Sequence, residues 1–231
     1  MVHRRAETGL HMGKQCRVSK LFSESTVYDR RMQGARADNL TAFILAGGKS
    51  TRMGRDKAFI NFNGRTLLSH ALELARPLTS LVQIAGSREK FAIFGPGVED
   101  IFPECGPLGG IHAALRASQT ELNLMLAVDM PFVPLAFLQY LVEQAKSGSE
   151  AKAIVPRTEG RWQPLCAVYR RSFADPAEKA LREGRNKIGS LLEQVEVRCI
   201  EEKALEHAGF SVDIFCNLNT PDELQALEQR T

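Results

Sequence analysis

An apolar run, Ala42-Phe43-Ile44-Leu45-Ala46, ends in Gly47-Gly48 and passes directly into a loop that carries Lys49, Arg52, Arg55 and Lys57. The run reads as a buried strand. Paired glycines let the backbone turn with φ > 0 and approach a ligand closely. Successive loop amides then form a concavity suited to anions, and fixed cations add charge-assisted bonds to phosphate oxygens. A basic surface loop after a core strand is the plain alternative. Four cations in nine residues, placed immediately after a glycine-ended strand, favour a nucleotide triphosphate site.

Two common phosphate loops are excluded by spacing. The P-loop requires G-x-x-x-x-G-K-[ST], and the dinucleotide fingerprint requires G-x-G-x-x-G at the start of a helix. Here Gly47-Gly48 is followed by five residues before Gly54, and Lys57 comes three positions later. The loop therefore argues against both a P-loop NTPase and an NAD(P) dehydrogenase.

Strand and helix patterns alternate along the chain. Residues 41–46, 81–85 and 123–128 read as strands, and residues 65–76, 133–145 and a stretch after Gly106 as helices. The second half reads as strands at 153–155, 164–169, 196–200 and 212–217. Helices are expected there at 173–183, 188–194 and 222–229. Such alternation predicts a mostly parallel sheet with helices on both faces, a three-layer α/β/α, Rossmann-like architecture. Ligands of such sheets bind outside the carboxyl ends of the strands. The loop after Ala46, the segment after Ala85 and the carboxylate of Asp129 all fall on that edge. Asp129 follows the apolar run Asn123-Leu124-Met125-Leu126-Ala127-Val128. A strand-end Asp is most often a turn or capping residue. Here it is the carboxylate best placed for the Mg²⁺ that accompanies a nucleotide triphosphate.

Composition sets limits. The 231 residues suit one large α/β domain. A net charge of +3 is too small to favour nucleic acid as a partner. No apolar stretch is long enough for a membrane span. Residues 1–39 have poor hydrophobic periodicity and read as a disordered or loosely attached basic tail, leaving 40–231 as the folded domain. Five cysteines without metal spacing read as reduced thiols of a cytoplasmic protein.

The pattern L-A-G-G-x-S-x-R-M-G-x-D-K-A, running from Leu45 to Ala58, resembles the signature of nucleotidyltransferases of the sugar-nucleotide pyrophosphorylase type. With its Asp56-Lys57-Ala58 ending it is most similar to the molybdenum cofactor guanylyltransferase family, and the resemblance extends from about residue 41 to 227. It implies GMP transfer from GTP to a molybdopterin-type acceptor, with Mg²⁺ and release of pyrophosphate. Molybdoenzyme-maturation proteins are implied as further partners. By the same resemblance Arg52 and Lys57 hold phosphate oxygens, and Leu45, Ala46 and Gly47 offer backbone groups to the base. Asp129, in Val-Asp-Met-Pro-Phe, takes the metal, and Asp100, ahead of Gly106-Pro107-Leu108-Gly109-Gly110, contacts the nucleotide. Asn217 and Asn219 resemble the family's closing N-x-N-T-P motif and could orient active-edge loops or touch the pterin. Capping explains Asn219 equally well.

Ile84 stands where the family often has a nucleotide-touching Asn, which weakens guanine selectivity more than nucleotidyl transfer. Arg161-Trp162 and Arg185-Asn186-Lys187 read as packing and turn residues, with pterin stacking and phosphate binding as alternatives. Two other functions remain open at this stage. One is a cytidylyl- or sugar-phosphate nucleotidyltransferase on the same fold. The other is a non-catalytic nucleotide-binding or cofactor-delivery protein.

Overall fold

The computed structural model describes residues 39–47, 56–148 and 150–218. Residues 1–38, the loop residues Lys49, Arg52 and Arg55, the motif residue Asn219 and the helix expected at 222–229 lie outside the described residues.

The first strand, β1 (Leu40–Leu45), opens the fold. A hairpin of β2 (Asn61–Phe62) and β3 (Arg65–Thr66) follows, then α1 (Leu67–Ala75) and β4 (Leu81–Ala85). Next come α2 (Arg88–Phe91), β5 (Gly97–Val98), α3 (Gly106–Ala117), β6 (Leu122–Ala127) and α4 (Leu135–Lys146). The second half holds β7 (Ala153–Thr158), β8 (Arg161–Trp162), β9 (Cys166–Arg170), α5 (Ala174–Arg182), α6 (Ile188–Leu192), β10 (Val197–Glu201) and α7 (Glu202–His207).

The main sheet has the order β10-β7-β9-β6-β1-β4-β5, with β8 paired to β7. Strand β9 runs antiparallel to both its neighbours, and β8 antiparallel to β7. The other pairs are parallel. This is the expected mostly parallel sheet. Strand β1 is buried from Leu40 to Ile44 because both faces are covered. Leu40, Ala42 and Ile44 join a core with residues of α1, α4 and α7. Phe43 and Met125 point the other way, into a core with α3, α5 and α6.

Local chemistry sets several boundaries. Asn63 (φ 50°) and Gly64 (φ 78°) are both left-handed, the turn that closes a two-residue hairpin. The hairpin claims Arg65 and Thr66 by pairing them with Asn61 and Phe62, so the helix expected from residue 65 starts at Leu67 instead. The Thr66 hydroxyl caps it by accepting from Ser69 N at 3.1 Å.

The strand expected at 212–217 is instead a 3-10 turn, Val212–Phe215, capped by Ser211. Adjacent Ile214 and Phe215 are both buried, and the Phe215 ring meets Phe137 edge-on at 5.3 Å. Burying each side chain contributes about 1.5–3 kcal/mol, more than the roughly 1 kcal/mol span of β-propensity. Cys105, Cys166 and Cys199 are free thiols.

The connections from β1 lead to β4 and β5 on one side and then return to β6 on the other. The β1/β6 boundary is therefore the switch point, where open α/β sheets form a ligand crevice.

Candidate functional site

A cleft of about 680 Å³ lies at that switch point, a size typical of small-molecule sites. The ends of β1, β4 and β6 supply Leu45, Ala85 and Ala127, followed by Val128 and Asp129. Lys57, Asp100 and the start of α3 complete the walls, and Leu165 enters from the connection into β9.

The end of β1 is held by both neighbouring strands. The amides of Ala46 and Gly47 both donate to Ala85 O at 3.0 Å, and Val128 N donates to Leu45 O at 3.1 Å. Those amides are thus engaged within the protein. Close passage explains Gly86. A Cβ there would stand 2.8 Å from the Phe91 ring and 3.3 Å from Gly47 N.

Lys57 opens a short 3-10 turn, Lys57–Phe59, which Asp56 caps by accepting from Ala58 N at 2.9 Å. From there its Nζ donates to Asp129 Oδ2 at 2.6 Å, with both side chains about one-fifth exposed. Residues 72 positions apart are brought together because the turn after β1 and the end of β6 share one edge. The backbone around Asp129 is fixed as well. Leu218 N donates to Asp129 O at 2.9 Å. His70 of α1 hydrogen-bonds Pro131 O through Nε2 at 2.9 Å. Burial lowers the His70 pKa, which favours the neutral ring.

The opposite wall is made by the segment before α3. Glu104 adopts φ 63° and Gly106 φ 64°. A non-glycine residue in that region costs on the order of 1–3 kcal/mol and marks a backbone shape the surroundings impose. Pro107 occupies the first turn of α3, and Cys105 provides no side-chain cap. The amides of that first turn therefore keep their affinity for an anionic or carbonyl acceptor. Asp100 sits against the helix. A Cβ on Gly110 would be 3.6 Å from Asp100 Oδ1, and one on Gly109 would be 2.9 Å from Phe102 O. Partial burial raises the Asp100 pKa.

The structure gathers Leu45, Ala46, Gly47, Lys57, Asp100 and Asp129 around one cleft. Asn217 is exposed on the segment that Leu218 ties to Asp129. Other sequence candidates are turned elsewhere. Trp162 donates through Nε1 to Glu193 at 2.6 Å and lies under the Arg157 guanidinium. Arg185 pairs with Glu183 and Gln194. Ile84 is fully buried and presents nothing to a ligand, while Ser87 caps α2. Sequence reasoning missed Leu165, the His70 and Leu218 ties, and the strained Glu104. Leu165 and the His70 and Leu218 ties depend on contacts between distant segments. Only Glu104, two residues before a Gly-Pro helix start, had a local signal.

Comparisons with known proteins agree with this geometry. Residues 42–199 match the family described as MobA-like NTP transferase domain. A probable molybdenum cofactor guanylyltransferase of Clostridium perfringens is 33% identical over 191 residues, covering 81% of this chain and 95% of the relative. A molybdenum cofactor guanylyltransferase of Desulfosudis oleivorans is 31% identical, covering 83% and 95%. The crystal structure of molybdopterin-guanine dinucleotide biosynthesis protein A from Archaeoglobus fulgidus superposes with a TM-score of 0.70 at 31% identity, covering 82% of this chain and 97% of that one.

Proposed function

The chain belongs to the MobA-like NTP transferase family, and we propose that it transfers GMP from GTP to a molybdopterin-type molybdenum cofactor, releasing pyrophosphate. The observation that carries this reading is the Lys57–Asp129 pair in the switch-point cleft. It sets a cation suited to phosphate beside a carboxylate suited to a metal, in a chain whose relatives bear the guanylyltransferase name.

The acceptor's terminal phosphate oxygen attacks the α-phosphorus of GTP in line. The bond to the β-phosphate oxygen breaks, and pyrophosphate leaves with the electron pair. Such a reaction needs positioning and charge neutralisation more than a covalent protein nucleophile. The attacking phosphate is already ionised at neutral pH, so no general base is needed. Lys57 supplies positive charge to the departing oxygens. Arg52 has the same proposed role, which rests on the motif alone.

Asp129 is the residue that would hold Mg²⁺. Among the described residues no group of three or more His, Cys, Asp or Glu gathers for a metal. One strand-end carboxylate nevertheless fits this ion, which takes one or two carboxylates with phosphate and water oxygens. When bound, it supplies neutralisation of phosphate charge in the transition state.

The carbonyls of Ala46 and Gly47 and the carboxylate of Asp100 are acceptors. They complement a base edge that presents two adjacent donors, as the N1–H and amino group of guanine do. Among the described residues no helix is long and apolar enough to cross a membrane. A cytoplasmic location, and hand-over of product to molybdoenzyme-maturation proteins, belong to the same proposal.

The test is pyrophosphate release with Mg²⁺ and molybdenum cofactor, run with GTP, CTP, UTP and ATP in turn. Release that needs the acceptor and is specific to GTP is the expected result. Equal release with CTP would reassign the base, and no release with GTP would overturn the reading.

A further inference from the structure

Lys57 stands on a single 3-10 turn of three residues, Lys57–Phe59. So short a helix cannot fix its own orientation, since one turn orders several dihedrals for little hydrogen bonding. Its middle residue, Ala58, is fully buried in the core, and a side chain from α2 braces its exposed side. Asp56 Oδ1 accepts from Ala58 N, while Oδ2 is ion-paired to Lys90 Nζ. The same ammonium stands over the Phe59 ring at 5.6 Å and the Phe91 ring at 5.0 Å. Phe59 in turn meets Phe91 and Phe94 at 5.9 and 6.0 Å between ring centroids. Lys90 thus grips the residue before Lys57 by charge and the last residue of its turn by cation–π contact.

We propose that Lys90 is a positioning residue for nucleotidyl transfer: through Asp56 and Phe59 it holds the turn that carries Lys57 at the cleft. The proposal rests on the reading of Lys57 as the phosphate-binding cation. Lys90 itself need not touch substrate. It serves the step in which the leaving pyrophosphate gains charge, so its loss falls on kcat more than on KM for GTP.

The test measures kcat and KM for GTP in Lys90→Met, Lys90→Arg and Lys57→Ala, and in the Lys57→Ala/Lys90→Met double variant. Lys90→Met is expected to lower kcat about tenfold with KM changed by less than about twofold, and Lys90→Arg to recover most of the loss. In the Lys57→Ala background the further loss should be under about twofold, because residues acting through one another are non-additive. An unchanged kcat in Lys90→Met overturns the proposal. So does an equal loss in both backgrounds, or a loss carried wholly by KM. Wild-type turnover in Lys57→Ala would instead overturn the functional reading beneath it, so the two failures are distinct. If Lys90→Met does not fold, Asp56→Asn gives the same readout. Asn keeps the capping acceptor and removes the charge that Lys90 pairs with, so a matching fall in kcat supports the proposal and its absence overturns it.

Discussion

Charge is dense in two parts of the molecule, the cleft at the β1/β6 switch point and the flank where α3 packs on α5. The flank has more of it. Glu178 accepts from Arg116 at 2.6 Å and Arg182 at 2.7 Å, Asp175 pairs with Arg116 at 2.9 Å, and a depression of about 480 Å³ lies among them. The Arg182 guanidinium first, and Arg116 second, hold the Glu178 carboxyl down at about 2. These groups sit on long side chains a turn apart or on facing helices, and each carboxylate is matched by a guanidinium from the protein. Such networks are ordinary chemistry of exposed helices.

The cleft has fewer charges, and they are held differently. Lys57 and Asp129 come from distant segments whose backbones are capped or tied to strand ends. Gly47, Gly106 and Gly110 line the space beside them. What distinguishes a site from a decorated surface is the rigidity of the backbone behind a few charges and the room left for a ligand.

The sharpest way to break that contrast is to remove the cleft's charges. Asp129→Ala and Lys57→Ala are each expected to lower turnover by at least about 10²–10³-fold, the usual loss for one preorganised charge contact. Both should fold, because the pair is partly exposed and such pairs contribute little to stability. Single-turnover pyrophosphate release, with circular dichroism to check folding, measures both points. Near-wild-type turnover in either variant would reduce the cleft to the status of the flank.

The same contrast explains what could be read from the sequence. Strand β4 was legible to its bounds and β1 and β6 to within a residue at each end, the latter two because covered faces write a nearly continuous apolar run that ends at Gly or Asp. That pattern by itself places Asp129 and the Gly47 loop on one edge. The direct Lys57–Asp129 contact was not legible, since nothing local encodes an approach across 72 positions. The reversal of β9 was equally silent, and with it the entry of Leu165 into the cleft. Alternation of apolar residues fixes a face but not a strand's direction. Helices α2 and α7, of four and six residues, are too short for a 3.6-residue period to emerge. The Asn63-Gly64 turn did carry a recognisable hairpin signal that a strong helical pattern just after it obscured.

Glycines sharpen the comparison with a smaller effect. Gly109, behind the cleft wall, is needed for space, because a Cβ would meet the backbone oxygen of Phe102 at 2.9 Å and Cys105 Cβ at 3.3 Å. Gly184, just past α5 on the flank, is needed only for its φ of 72°, with nothing within 4 Å of a Cβ. Gly109→Ala is therefore expected to cost about 1–3 kcal/mol in a urea melt, the range for overpacking, and to weaken GTP binding by shifting the Phe102–Cys105 segment beside Asp100. Gly184→Asn should cost less than about 1 kcal/mol, because Asn tolerates the left-handed region at a helix C-terminus, and should leave GTP binding unchanged. Equal losses in both measurements would remove the distinction between a wall built around a ligand and a plain helix end.

The smallest effect belongs to the flank itself. Glu178→Gln removes the carboxylate at the centre of the Arg116–Arg182 network and is expected to leave turnover at the wild-type value. Its mark is a pH-dependent difference in stability. The folded-state pKa of Glu178 lies near 2, below its ordinary 4.5. Its stabilising contribution is therefore fully present above pH 4.5 and lost as pH falls towards 2. Thermal melts of wild type and variant should differ slightly at neutral pH and converge across that window. Raising the salt concentration should shrink the gap as well, because the pairs are exposed to solvent. If Glu178→Gln instead lowered turnover while the fold stayed intact, the flank would have to act on the cleft through α3, which joins them: His112 of that helix lies 3.4 Å from Glu178, and its first turn lines the cleft. The two regions would then be one functional unit, with a surface network that positions the helix start where the nucleotide binds.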